Sequence, residues 1–230
     1  GLEMLEGYAM SENFAYSHLA LPGRTRAGYV GEPLPGVEAK ISPQGEVLVK
    51  SPGSMVGYHK DPALTAACFT EDGFLKTGDR GEIDELNRLK LTGRVKELFK
   101  TSKGKYVAPA PIEDLLVLHP DIEACAVVGA NLAQPLGLVM LSQDAVTRSA
   151  AADAKQALTQ SLAQHLAHVN AKLEPHEKLD GVAVITTPWT PENGFVTPTL
   201  KVKRMRIEEA YASHYNEWLA QRTPVVWCKT

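Results

Sequence analysis

Four short segments of the chain gather acids, cations, hydroxyls and glycines at close spacing. They are Gly7-Tyr8-Ala9-Met10-Ser11-Glu12, Lys76-Thr77-Gly78-Asp79, Gly93-Arg94-Val95-Lys96-Glu97 with its continuation to Glu113, and Thr197-Pro198-Thr199-Leu200-Lys201-Val202-Lys203-Arg204. Such residue types suit chemistry in which charge sits on oxygen: cations hold phosphate oxygens, and carboxylates hold a hard metal ion or accept from hydroxyls. Taken singly, each segment has an ordinary structural explanation. Thr-Gly-Asp is usually a turn, Glu12 a surface acid, and a lysine between strand and helix a solvated charge. Lys96 and Lys100 stand four apart, as on the face of any short helix, and Arg94 can pair with any neighbouring acid.

The elements around these segments differ along the chain. Up to about Gly93 it is dense in Gly and Pro, with short β-type runs between them: Gly28–Gly31, Val37–Ile41, Gly45–Lys50, Gly81–Asp84 and Leu89–Leu91. Alternating β-branched residues bounded by turn formers predict short antiparallel strands, hence a small sheet or distorted barrel, with one helix over Pro62–Phe69. Beyond about Lys96 the pattern changes. A short helix is expected from Pro111 to about Leu118, buried strands at Ile122–Val128, Gly137–Leu141 and Gly181–Ile185, and a long helix on the stripe Leu158, Leu162, Leu166, Val169 and Leu173. Ile207, Tyr211, Tyr215 and Trp218 mark a last helix. The fold class is therefore α+β: a small antiparallel β-barrel-like subdomain, residues 1–94, followed by a compact α+β domain, residues 95–230.

Composition excludes several classes. With 230 residues, 44% hydrophobic and 22% charged, the chain has the makeup of a folded globular protein rather than a disordered or collagen-like one. Its 24 basic and 27 acidic residues leave a formal charge of -3, too balanced for a protein that chiefly grips nucleic acid, although Lys96, Lys100, Lys103 and Lys105 lie beside Phe99 and Tyr106. Cys68, Cys125 and Cys228 are odd in number and far apart, which fits free thiols in a reducing, cytosolic compartment. No apolar stretch approaches the roughly 20 residues of a transmembrane segment. His165 and His168 have metal-ligand spacing but no evident third ligand, and the helix stripe accounts for them. Neither a Gly-x-Ser-x-Gly elbow nor a Gly-Lys-Ser/Thr phosphate loop occurs.

In their order the four segments resemble the later core motifs of the adenylate-forming acyl-CoA synthetase superfamily, and the resemblance covers nearly the whole chain. Gly7–Glu12 is similar to that family's Tyr-Gly-x-Thr-Glu segment, Lys76–Asp79 to its Thr-Gly-Asp, Gly93–Glu113 to its linker and following hairpin, and Thr197–Arg204 to its C-terminal lysine motif. Asn193–Lys201 and Val107–Glu113 are closest to the long-chain fatty acid branch. The resemblance implies ATP, Mg²⁺ and CoA as cofactors and co-substrates and a fatty acid as the acid activated. It also implies roles. Glu12 would hold Mg²⁺, Ser11 meet a phosphate, Tyr8 stack near the adenine, Asp79 accept from both ribose hydroxyls, and Arg94 support the same sugar. Lys201 would be the mobile catalytic ammonium, Lys96 the hinge, Gly104 the glycine lining the pantetheine tunnel, and Lys100 an assistant in one of the two half-reactions.

Three departures from the family pattern stand out. Ala9 replaces a glycine, so its backbone must avoid positive φ or bear strain. Ser11 replaces threonine and keeps the hydroxyl. The hairpin Thr101–Lys105 is one residue longer than in many relatives, so the tunnel position falls at Lys103 or Gly104, with Gly104 favoured. The family's Ser/Thr/Gly-rich phosphate loop has no counterpart here, and the chain opens on Gly1 without a leader. The expectation is thus a C-terminal fragment, inactive alone, whose partner is the upstream remainder of the same polypeptide. A cytoplasmic location follows, with a peripheral seat on the inner face of the membrane left open. Two alternatives stand beside it: a non-catalytic module binding CoA or pantetheine, and an acyl-AMP ligase that loads a carrier protein.

Overall fold

In a computed structural model, residues 2–228 are described. The chain divides into two compact units between Glu97 and Leu98.

The first unit is built from β-structure. Strands β1 (Gly7–Tyr8), β2 (His18–Leu19) and β3 (Glu32–Pro33) form one small antiparallel sheet. Strands β4 (Glu38–Ile41), β5 (Glu46–Lys50), β6 (Leu75–Ile83) and β7 (Leu89–Arg94) form a second, a four-stranded antiparallel meander. Helix α1 (Pro62–Ala67) is inserted between β5 and β6; Pro62 opens it and the Asp61 side chain caps it through Leu64 N–H at 2.9 Å. Tyr8, Val47, Val49 and Leu89 are buried together, so the two sheets share one core. The run at Gly28–Gly31 is not a strand. Val30 N–H donates to Leu89 O and Leu89 N–H to Gly31 O, both at 2.8 Å, while Gly28 and Gly31 hold left-handed φ and break the extension.

The second unit opens with the hairpin β8 (Phe99–Lys100) and β9 (Tyr106–Val107), then α2 (Pro109–Leu116). Strands β10 (Ile122–Val128) and β11 (Leu136–Leu141) follow, then α3 (Gln143–Arg148), α4 (Ala152–Asn170), β12 (Gly181–Ile185), α5 (Arg204–Tyr211), α6 (Tyr215–Ala220) and β13 (Val225–Trp227). The sheet order is β10-β11-β12-β13, antiparallel at its first pairing and parallel at the other two. Side chains alternate between two cores. Val127, Val139, Val182, Val184 and Val225 face the cluster that holds Leu158, Leu162, Leu166 and Val169 of α4. Val128, Leu138, Ala183, Ile185 and Val226 face the cluster of Ile207, Tyr211, Tyr215 and Trp218. Burial on both faces is why these strands read as unbroken apolar runs.

In the second unit several elements depart from expectation, including the helix α3, which the sequence pattern did not mark. Helix α2 starts at Pro109, ahead of Pro111, and reaches only Leu116. The last helix is interrupted by a 3₁₀ turn at Ala212–His214, and β13 adds a strand that the sequence pattern did not reveal.

Candidate active site

Asp79 is the last residue of a bulge within β6. Leu48 of β5 pairs with Lys76 and Glu46 with Arg80, so Thr77, Gly78 and Asp79 stand opposite Val47 alone. Gly78 turns the extra chain at φ 73°, a left-handed value that costs a residue with a Cβ about 1 kcal/mol. Several polar groups at the bulge are met locally. Thr77 Oγ1 donates to Val47 O at 2.7 Å and accepts from Asp79 N–H at 3.1 Å, and Gly78 N–H donates to Glu46 Oε1 at 2.9 Å. Thr-Gly-Asp is thus a strand bulge here, not a turn between strands.

The bulge carries Asp79 into register opposite Arg94 on β7. The carboxylate is buried, with Oδ2 accepting from Tyr8 Oη at 2.6 Å and Oδ1 lying 3.0 Å from Arg94 Nε. Burial, and then the bond to Asp79, push the Tyr8 phenol well above its ordinary value, so it remains a donor. Arg94 keeps 61% of its side chain exposed. A carboxylate fixed in rotation by two donors, each oxygen with a lone pair still unspent, is suited to accept from a pair of hydroxyls. The Tyr8 ring belongs to the core of the unit, and its visible work is to orient Asp79.

Ser11 and Glu12 sit together in a 3₁₀ turn, Ser11–Asn13. Ala9 is not among the residues with positive φ, so its Cβ causes no strain there; Phe14 and Ala15 take left-handed φ instead, at 52° and 57°. Glu12 Oε1 accepts from Tyr58 Oη at 2.9 Å, and that bond is the main cause pushing the Tyr58 phenol up to about 12. Among the described residues Oε2 has no partner, and no cluster of three or more His, Cys, Asp and Glu side chains is placed to hold a metal ion. Mg²⁺ bound with phosphates needs only one or two carboxylates, so a lone Glu12 fits that mode.

The remaining residues are placed without being drawn into one cluster. Lys96 is exposed in a 3₁₀ turn, Val95–Glu97, at the junction of the two units. Lys100 is exposed on β8, its ammonium 5.7 Å from the Tyr106 ring centre. Gly104 holds φ 78° in the hairpin turn, where its N–H donates to Thr101 O at 2.9 Å; the turn by itself calls for glycine at this position. Lys201 ends a tight loop. Thr197 N–H donates to Lys201 O at 2.8 Å, Lys201 N–H to Thr197 Oγ1 at 3.0 Å, and Val196 pairs with Val202 beneath. Val196 is buried in the second unit's core while Lys201 is exposed, and among the described residues its ammonium has no partner.

Sequence reasoning named Glu113 and Arg204 only as ends of motifs. The structure joins them: Arg204 Nη2 donates to Glu113 Oε2 at 2.9 Å and Nη1 to Val127 O at 2.8 Å, while Glu113 Oε1 accepts from Val127 N–H at 2.6 Å. Both side chains are largely buried, so this clamp fixes the start of α5, three residues after Lys201, to α2 and β10. Glu46 and Tyr58 were not singled out at all; their partners lie 32 and 46 residues away, and no local pattern encodes such pairs. His165 Nε2 lies 3.1 Å from both Leu115 O and Leu116 O, a cap on the last turn of α2.

Residues 97–222 match the family described as the AMP-binding enzyme C-terminal domain. The chain belongs to that family. It is 33% identical over 227 residues to the long-chain fatty-acid–CoA ligase FadD15 of Mycobacterium bovis, covering 93% of this chain and 37% of that one. Long-chain fatty-acid–CoA ligase 1 of Homo sapiens is 30% identical over 244 residues, covering 94% and 34%. Among solved structures, the adenylation domain of a carboxylate reductase from Mycobacterium chelonae superposes with TM-score 0.75 at 27% identity, covering 94% of this chain and 35% of that one. The chain therefore spans little more than a third of the length of these relatives. No helix among the described residues is long and apolar enough to cross a membrane.

Proposed function

We propose that this chain forms the C-terminal part of an ATP- and Mg²⁺-dependent fatty acid–CoA ligase. In the first half-reaction a carboxylate oxygen bonds to the α-phosphorus of ATP and the bond to pyrophosphate breaks, giving acyl-AMP. In the second, the CoA thiolate bonds to the acyl carbon and AMP leaves. Asp79 takes the ribose hydroxyls with Arg94 beside it, Ser11 and Glu12 serve the phosphates and the metal ion, and Lys201 supplies a cation to the reacting phosphate. Charge that grows on phosphate oxygens is met by fixed donors and cations, with little covalent work for the protein. The junction at Lys96 is the hinge that exchanges Lys201 for the hairpin of Lys100 and Gly104, which serves CoA, between half-reactions. The chain alone does not adenylate; it acts with an upstream part of the same polypeptide, in the cytoplasm or against the inner face of the membrane.

The observation that carries this reading is the Tyr8–Asp79–Arg94 arrangement, a buried, pre-oriented carboxylate beside a half-free guanidinium. The relatives' names supply the acid and the thiol. The test is Lys201→Ala in the intact ligase, with the half-reactions measured separately. Pyrophosphate exchange is expected to fall about 10²- to 10³-fold, the scale seen when one donor to a developing oxyanion is removed, while thioester formation from added acyl-AMP is retained. Near-normal exchange would exclude the role given to Lys201, and calorimetric binding of CoA without any exchange by the wild type would favour a binding module instead.

A further inference from the structure

Glu12 is held by more than its own turn. Its backbone O accepts from Met55 N–H at 2.7 Å and its Oε1 from Tyr58 Oη at 2.9 Å. Both donors lie between β5 and α1, in a strap pinned along its length. At one end Ser51 Oγ donates to Tyr16 O at 2.7 Å, and Gly53 passes so close that a Cβ there would stand 2.7 Å from Asn13 O. At the other end Tyr58 N–H donates to Thr65 Oγ1 at 2.9 Å, and Gly57, at φ 155°, has no room for a Cβ, which would meet Thr65 Cγ2 at 2.8 Å. The strap thus delivers one phenol, with little freedom, to one carboxylate oxygen.

We propose that Tyr58 is a positioning residue for Glu12: its hydroxyl occupies Oε1 and stops the carboxylate rotating, which leaves Oε2 as the oxygen offered to the divalent cation that accompanies a nucleotide triphosphate. The inference rests on the ligase reading and deepens it. A half-buried glutamate on a short turn still has several rotamers open to it, and a metal held by its carboxylate gains when that sampling is removed before binding.

The experiment uses the intact ligase and Mn²⁺ as the probe, with free Mn²⁺ read by electron paramagnetic resonance in the presence of ATP. Tyr58→Phe, which removes only the hydroxyl, is expected to weaken Mn²⁺ binding about five- to ten-fold, the scale of one ordinary net hydrogen bond, and to leave the KM for the acid unchanged. Glu12→Gln is expected to weaken it further, and adding Tyr58→Phe to Glu12→Gln to change nothing more, because Tyr58 acts through Glu12. Additive losses in the double variant, or wild-type Mn²⁺ binding in Tyr58→Phe, would overturn the role of Tyr58. If Tyr58→Phe does not fold, Thr65→Val, which frees the strap but keeps the phenol, is expected to weaken Mn²⁺ binding in the same direction, and unchanged binding would overturn the role. A wild-type enzyme without pyrophosphate exchange would overturn the ligase reading, and this inference with it.

Discussion

The Asp79 site and the Lys201 loop solve opposite problems. Asp79 is buried and both its oxygens are held, by a phenol from one sheet and a guanidinium from the facing strand. Lys201 is exposed and its ammonium is unbonded among the described residues, although the loop beneath it is closed by backbone bonds and rooted in the core by Val196. In the proposed reaction, a group that recognises a stationary ligand gains from being fixed before binding, and a cation needed in one step only gains from having no competing partner. Rigidity is therefore invested in the whole of Asp79, but only in the foundation of Lys201.

The largest expected effect tests that foundation. Arg204→Ala leaves Glu113 buried without its cation, and the second unit should lose about 3–5 kcal/mol of stability, read as a fall in its urea midpoint. A loss below about 1 kcal/mol would mean that the loop is not anchored by this clamp.

Next in size is an effect of pH on the first unit. Burial holds the His18 imidazole down at about 4, against 6.5 for the free group. The unfolded chain therefore binds a proton that the folded chain refuses, and stability should fall as pH drops from about 6.5 to about 4, by about 3 kcal/mol in all. His18 is the cross-strand partner of Tyr8, so acid should loosen the pair that orients Asp79. Denaturation midpoints of His18→Asn across that range should show a smaller slope than wild type; an identical slope would remove His18 as its source.

A smaller effect sharpens the account of the bulge. Glu46→Ala strips the acceptor from Gly78 N–H, whereas Glu46→Gln retains a carbonyl there. In the ligase proposed above, the ATP KM should rise roughly five-fold for alanine, about 1 kcal/mol, and much less for glutamine. Equal rises would point to charge rather than to bulge geometry. The smallest effect is at Lys201. Its replacement by alanine should change folding stability by less than about 0.5 kcal/mol, as for an exposed unpaired side chain, and a larger loss would show that the ammonium has a structural partner after all.

Much of this was legible in sequence where the signal is local. The runs at Ile122–Val128 and Gly181–Ile185 are buried on both faces, and the stripe of α4 recurs at helical spacing, so one-dimensional pattern suffices. Strand β13 is only three residues long and becomes a strand by pairing with Val182–Val184, far away in sequence. The break at Ala212–His214 keeps Tyr211, Tyr215 and Trp218 in one core, so apolar spacing survives while the helix does not. Asp79 and Arg94 could be named from their motifs. The devices that aim them, the bulge at Gly78 and the phenol of Tyr8, are products of register between strands, and register is not written in any one segment.

The parallel pairing of β12 with β13 has a consequence for synthesis. The lysine loop, α5 and α6 all lie in the crossover between those two strands. When Lys201 is joined to the growing chain, Val225–Trp227 has still to be made, so the crossover cannot yet close. Loss of Val225–Trp227 through termination anywhere in the crossover removes the parallel pairing that closes it, while the local bonds of the lysine loop remain within the chain already made.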